Sequence, residues 1–166
     1  MTKNWENDAE YCALVEDLLA TPEVQKLANY KQHIHSNRLE HSISVSYRSY
    51  LWAKKWHVDA SACGRAGLLH DLFYYDWHTT KFDEGSHAYM HPRIACKNAE
   101  KITTLNKVEK DIIIKHMWGA TLAMPRYKES YIVTLVDKYC AIQESMAPFS
   151  QNLRKKWHHM FAKQSV

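Results

Sequence analysis

Ala66-Gly67-Leu68-Leu69-His70-Asp71-Leu72 decides how this chain is read: an apolar run with small residues ends on an adjacent histidine and aspartate. A His-Asp pair alone is a weak signal, since capping and chance often produce one. Here it is the centre of a wider set. His41, His91, His116 and Asp137 flank it at intervals of roughly 20 to 30 residues, each about a helix plus a loop. Each residue can therefore arrive on a different helix, and a bundle would gather them at its centre. Imidazole suits late first-row divalent metals, and a carboxylate can bridge two of them. Without a cation, a dry core holding four imidazoles and two carboxylates would keep costly unpaired polar groups. The expected partition puts His41, His70, Asp71 and Asp137 around one ion, and Asp71, His91 and His116 around a second. Two ions about 3.5–4 Å apart would hold a bridging hydroxide and neutralise a phosphoryl group during in-line attack.

Outward from this run the periodicity is helical and strand alternation is nearly absent. Over residues 7–20, Cys12, Val15, Leu18 and Leu19 form one stripe, and Thr21-Pro22 restarts the chain as a cap followed by a first-turn proline. Asn37 and Glu40 read as a capping box opening a helix through about Trp56, with His41 near its first turn. A helix from about Asp59 to Leu72 carries Ala60, Ala62, Gly64, Ala66 and Gly67, small enough for close helix approach. Residues 74–89 are the longest irregular stretch and are expected to form a loop or lid. His91-Pro92 marks the expected start of the next helix, which runs to about Ile102. Asn106 and Glu109 open another, with Val108, Ile112, Ile113 and His116 at helical spacing and Gly119 ending it. Ile132, Leu135, Val136, Tyr139 and Cys140 define a helix carrying Asp137, and residues 149–163 read as a last, basic helix. The expectation is all-α: one domain over residues 1–166, a bundle of about six to seven helices.

Composition narrows the function. The chain has 166 residues, 46% hydrophobic and 24% charged, with a formal charge of +4. Its longest apolar runs, such as Ile112-Ile113-Ile114, are far too short to cross a bilayer. The opening Met1-Thr2-Lys3-Asn4-Trp5-Glu6 lacks the apolar stretch of a secretory signal, so a cytoplasmic location is expected. Cys12, Cys63, Cys96 and Cys140 form no C-x-x-C pair and are expected as reduced thiols. Lys54-Lys55 and Arg154-Lys155-Lys156 are too short to specify nucleic acid, whereas a small anionic substrate is compatible with them.

At its metal-ligating residues the chain resembles the HD superfamily of metal-dependent phosphohydrolases. The matching elements are Arg38-Leu39-Glu40-His41-Ser42, Ala66 to Asp71, His91-Pro92-Arg93-Ile94-Ala95, Ile114-Lys115-His116 and Leu135-Val136-Asp137-Lys138. The resemblance covers about residues 30–143, leaving 144–166 as the basic C-terminal helix. Minimal HD domains use the first histidine, the His-Asp pair and the last aspartate for a single metal. With His91 and His116 as well, the chain looks more like the dinuclear branch, which includes bacterial diadenosine tetraphosphatases, cyclic dinucleotide phosphodiesterases and a few di-iron oxygenases. The resemblance implies an α-helical phosphohydrolase fold, the six ligands named above and two divalent ions, iron or manganese. Two departures stand out. Tyr74 occupies a position where many dinuclear members carry a phosphate-contacting lysine, and Met117-Trp118-Gly119 follows His116 in place of Gly-Tyr-Pro.

Phosphate contacts must then come from other residues. Arg38, one turn before His41, is the first choice, followed by Arg93 and by Arg126 with Lys128; a surface or ion-pair role fits Arg38 equally well. His87 reads as a general acid or as a replacement for His91, four residues later. Tyr74, Tyr75 and Trp77 are candidate stacking surfaces for a base, though core packing or loop closure would also explain them. His33, His35, His57, His78, His158 and His159 read as capping or exposed residues. The leading function is hydrolysis of a phosphoester or phosphoanhydride in a nucleotide-like substrate, with Asp71 bridging the ions. The alternatives are a di-iron oxygenase and a catalytically idle nucleotide-binding module.

Overall fold

Local capping sets where most of the helices begin. The computed structural model describes residues 5–33 and 36–162, with side chains over 5–32 and 36–146. After a 3-10 turn at Trp5–Asn7, Asp8 accepts from Tyr11 N and opens α1 (Ala9–Leu19). Thr21 does the same for α2 (Pro22–Gln25), and a second 3-10 turn covers Lys26–Asn29. Asn37 and Glu40 form a complete capping box at the start of α3 (Arg38–Trp56), and Asn106 and Glu109 form another at α6 (Lys107–Lys115). Asp59 caps α4 (Ala60–Leu69) through Ala62 N. The remaining helices are α5 (His87–Ile102) and α7 (Lys128–Ala162).

Three features depart from the sequence expectation. A two-stranded antiparallel sheet pairs β1 (Lys31–His33) with β2 (Ser36–Asn37) just before α3; strands this short carry no readable alternation. Helix α5 starts at His87, a turn before the expected His91. Pro92 is therefore its sixth residue, where it forfeits the bond it would give to the Ala88 carbonyl. Helix α7 is continuous over the region where two helices were expected. The side chains of His33, His35, Arg154, Lys155, Lys156, His158 and His159 lie outside the described residues.

Helices α3 and α4 make the closest pair at the centre. A Cβ on Gly67 would stand 3.0 Å from the Ser46 Cα, so only glycine lets the two backbones approach there. Tyr11 Oη donates to Ser46 Oγ at 2.7 Å, which donates to the Gly64 carbonyl at 2.6 Å, tying α1, α3 and α4 together. Leu68, Leu69, Leu72, Ile112, Ile113, Ile132 and Val133 are buried around this pair. Helix α7 runs antiparallel to α3, Asp59 meeting Glu129 at one end and His41 meeting Glu144 at the other. Cys63, Cys96 and Cys140 are buried thiols and Cys12 is partly exposed. No described helix is long and apolar enough to cross a membrane.

Candidate metal centre

Five helices deliver six side chains to one point. His41 comes from the first turn of α3, His70 and Asp71 from the end of α4, His91 from α5, His116 from the end of α6 and Asp137 from α7. Their ligand atoms form three overlapping groups within 4.8 Å: His41, His70 and Asp71; His70, His116 and Asp137; Asp71, His91 and His116. Asp71 faces two ways. Its Oδ2 lies 3.6 Å from His70 Nε2, while its Oδ1 lies 3.3 Å from His91 Nε2 and 3.7 Å from His116 Nε2. Asp137 Oδ1 lies 3.0 Å from His41 Nε2 and 3.6 Å from His70 Nε2.

Helix termini explain how the rings are aimed. His70 and His116 are the C-cap residues of α4 and α6, where the last carbonyls lack helical partners. Each donates its Nδ1–H to such a carbonyl, His70 to Gly67 O and His116 to Ile113 O, both at 2.8 Å. His91 Nδ1 donates to His87 O at 2.8 Å, and His41 Nδ1 bonds Glu144 Oε1 at 3.1 Å. With Nδ1 of His70, His91 and His116 donated to carbonyls, their Nε2 atoms are the ones that face the centre, the orientation metal ligation requires.

The Nε2 atoms of His91 and His116 stand 2.8 Å apart, and buried His70 Nε2 has no hydrogen-bond partner. This donor set fits a cation: imidazole nitrogens and carboxylate oxygens, buried, convergent and unsatisfied. Electrostatics agree. Burial, reinforced by His91 and His70, pushes His116 down to about 3 and keeps it neutral. At His41, burial is outweighed by the bonds to Asp137 and Glu144, raising it to about 10. Burial would raise both carboxylates, but the neighbouring imidazoles hold Asp71 and Asp137 well below the usual range.

A cavity of about 260 Å³ opens onto the cluster, lined also by Gln32, Trp77, His87, Met117, Lys138 and Ala141. Trp77 and His87 thus share one wall of this cavity. Their rings stack at 5.7 Å, and Tyr75 Oη sits 3.2 Å from His87 Nδ1. Burial and His91 push His87 down to about 4, so it meets a ligand as a neutral imidazole. His87 stands one helical turn before His91, its ring stacked on that of His91 at 4.3 Å, and it is His91 that joins the convergent groups.

The other expected phosphate and stacking contacts are used elsewhere. Arg38 is fully buried: its guanidinium donates to the carbonyls of Phe73 at 2.7 Å and Tyr75 at 3.3 Å, and lies 3.6 Å over the Phe73 ring. It fastens the segment after Asp71 and does not line the cavity, because its helix position points it into the α3–α4 junction. Arg93 folds back onto the Tyr89 carbonyl and ring. Arg126, with Tyr127, borders a separate groove, where its backbone N–H donates to Asp111. Tyr74 turns away to the Glu23 carbonyl and the Tyr30 ring.

Three residues at the centre escaped sequence reasoning. Gln32 Nε2 donates to Asp71 Oδ2 at 2.7 Å while its Oε1 accepts from Arg38 Nε at 2.9 Å, so Arg38 orients Asp71 through it. No local signal marks a glutamine on a three-residue strand. Glu144 holds His41, and its position two turns after Asp137 on the same face of α7 was a usable clue. Lys138 is the one lysine or arginine lining the cavity among the described residues, its Nζ donating to Trp118 O at 2.8 Å.

Comparison with known proteins agrees with this geometry. Ribonuclease Y of Clostridium perfringens, in strain SM101 and in strain ATCC 13124, is 34% identical over 90 residues. The match covers 52% of this chain and 17% of those relatives, so the chain spans under a fifth of their length. No solved structure matches. Residues 38–142, which carry all six converging side chains, match the HD domain. The chain belongs to the HD domain family, whose members are typically metal-dependent phosphohydrolases.

Proposed function

We propose that this protein hydrolyses a phosphoester or phosphoanhydride of a small, nucleotide-like anion at a centre of two divalent ions, iron or manganese. His41, His70, Asp71 and Asp137 hold one ion; Asp71, His91 and His116 hold the other. The observation that carries the reading is Asp71, whose two oxygens face separate sets of imidazole Nε2 atoms. Bound there, the ions supply an activated water and neutralise phosphoryl charge.

The chain's own residues do the rest. Backbone carbonyls at Gly67, His87 and Ile113 fix three imidazoles before any ion arrives, so little reorganisation is needed on binding. Arg38, placed by sequence reasoning among catalytic and phosphate-binding residues, is a positioning residue here, acting through Gln32 on Asp71. Lys138 offers a cation on the cavity wall and Trp77 a flat surface for a base. His87 reaches the substrate neutral. It serves as a hydrogen-bonding imidazole, and it donates a proton only once an adjacent phosphate anion raises its pKa. The name ribonuclease, borne by the relatives, supports phosphodiester chemistry and puts short RNA among the substrates worth assaying.

The test couples metal content with turnover. Protein purified without chelator is assayed for metals by plasma mass spectrometry, in parallel with His91→Ala, then offered nucleotides, dinucleoside polyphosphates and short RNA with manganese under anaerobic conditions. Two ions per chain, fewer in His91→Ala, and phosphate or nucleotide release that Asp71→Ala abolishes are the expected results. One ion unchanged by His91→Ala would reduce the site to the four-ligand form. Saturable nucleotide binding with no turnover would make the protein a binding module. Oxygen uptake with a redox-dependent spectroscopic signal would make it an oxygenase.

A further inference from the structure

Helix α7 presents a second apolar face that the described residues leave exposed. Leu135, Tyr139, Ile142 and Met146 are 48, 43, 59 and 56% exposed. Their spacing of four, three and four residues keeps them within about 60° of one another around the helix. The opposite side carries buried Val133, Val136 and Cys140 together with Asp137 and Glu144, and it is this side that packs on the bundle and the ligand cluster. Beside the stripe, on antiparallel α3, Arg48 lies over the Tyr139 ring, and Trp52 and Trp56 follow it at one-turn spacing, both exposed. The amino-acid sequence prolongs the pattern, with Phe149, Leu153, Trp157 and Met160 at spacings of three or four residues. The helix itself continues to Ala162, well past residue 142, where the family match ends.

We propose that the stripe is a dimer seam, covered by α7 of a second copy of this chain packed antiparallel. Apolar residues at spacings of three and four over more than three heptads are the pattern by which one helix receives the knobs of another, and an identical helix is complementary to it. The six exposed side chains offer on the order of 700 Å² per copy, close to the roughly 800 Å² that each partner contributes to a stable dimer. A two-fold axis makes the same patch serve both sides. Antiparallel pairing also separates the two basic runs at 154–156, which a parallel pair would set side by side. A membrane-surface helix would instead need a basic polar face. Between Lys128 and Met146, where the exposed stripe lies, α7 carries Glu129, Asp137 and Glu144 against Lys128 and Lys138, and basic residues gather only beyond it, at 154–156.

Sedimentation velocity on the full metal-loaded chain, over a concentration series from about 1 to 100 µM, tests this. The expected species has twice the 19.5 kDa chain mass and dissociates on dilution. Ile142→Glu and, separately, Met146→Glu are expected to weaken self-association at least ~10-fold, with circular dichroism and metal content unchanged. Ser145→Glu, on the same turn but off the stripe, is expected to remain dimeric. A parent chain that is monomeric throughout the series overturns the proposal whatever the variants do. So does equal loss in Ser145→Glu, and so does a monomer whose binding to phosphatidylserine vesicles is lost in Ile142→Glu.

Discussion

At one end of the ligand cluster imidazole faces carboxylate; at the other, imidazole faces imidazole. His41 lies between Asp137 at 3.0 Å and Glu144 at 3.1 Å, and takes up a proton that balances them. His91 and His116 meet Nε2 to Nε2 at 2.8 Å with both Nδ1–H groups already donated to backbone carbonyls, so two like nitrogens converge on one point. The first end satisfies itself without metal, at the cost of holding a proton a metal must displace. The second brings like nitrogens together where a cation would satisfy both. Asp71 joins the two, which makes it the residue whose loss neither end can absorb.

Removing Asp71 is therefore the largest perturbation. In Asp71→Ala, bound metal is expected to fall below one ion per chain, and hydrolysis to drop by more than the ~100-fold that loss of an outer-shell partner costs. Metal analysis and turnover on the same folded sample decide it; a variant that keeps two ions would break the picture of two ends joined by one carboxylate. The next test applies one substitution to both ends in the metal-free protein. His41→Leu strands two largely buried carboxylates and is expected to cost about 3 kcal/mol. His116→Leu keeps side-chain bulk while removing one of two opposed lone pairs, so metal-free stability should change by less than ~1 kcal/mol, even as metal content falls. Denaturant melts without metal separate the two. Equal losses would mean that the His91–His116 contact is not an unfavourable one. A smaller effect belongs to Glu144→Gln, which keeps an acceptor for His41 Nδ1 but removes its charge, and should weaken metal binding ~10-fold by competition with a chelating dye.

What the sequence disclosed about this centre was whatever local chemistry writes down. The capping boxes at Asn37 and Asn106 appear in the structure where three-residue spacing put them, because their bonds close within one turn. The His-Asp pair was legible through its company, His41, His91, His116 and Asp137 at helix-plus-loop intervals, and His70 as a C-cap donates to a helix-end carbonyl while aiming its other nitrogen inward. Pro92 misled. A first-turn proline is the usual reading, but α5 tolerates it in its sixth position, and so His87 and His91 share one helix face. Arg38 misled differently. Its place one turn before His41 was read correctly, but its partners Gln32, Phe73 and Tyr75 come from chain segments whose meeting no periodicity records. Gln32 was invisible for the same reason.

The smallest expected effect examines the two ends through their protons. In the metal-free chain the folded value for His41 lies at about 10 against an ordinary 6.5, so this imidazole is charged at neutral pH. The stabilisation this gives the metal-free fold is complete below about 6.5 and is lost as pH rises through about 10. His116 runs the other way, pushed down to about 3, and is already neutral. A metal that occupies both ends must expel a proton from His41 and none from His116, so affinity at the His41 end should rise with pH through the neutral range. Titration calorimetry in buffers of different ionisation enthalpy measures the proton directly: at least one is expected from the parent and from His116→Leu, and one fewer from His41→Leu. A parent that releases no proton would show His41 neutral before metal arrives, and the contrast between the two ends would then rest on the lone-pair contact at His91 and His116 alone.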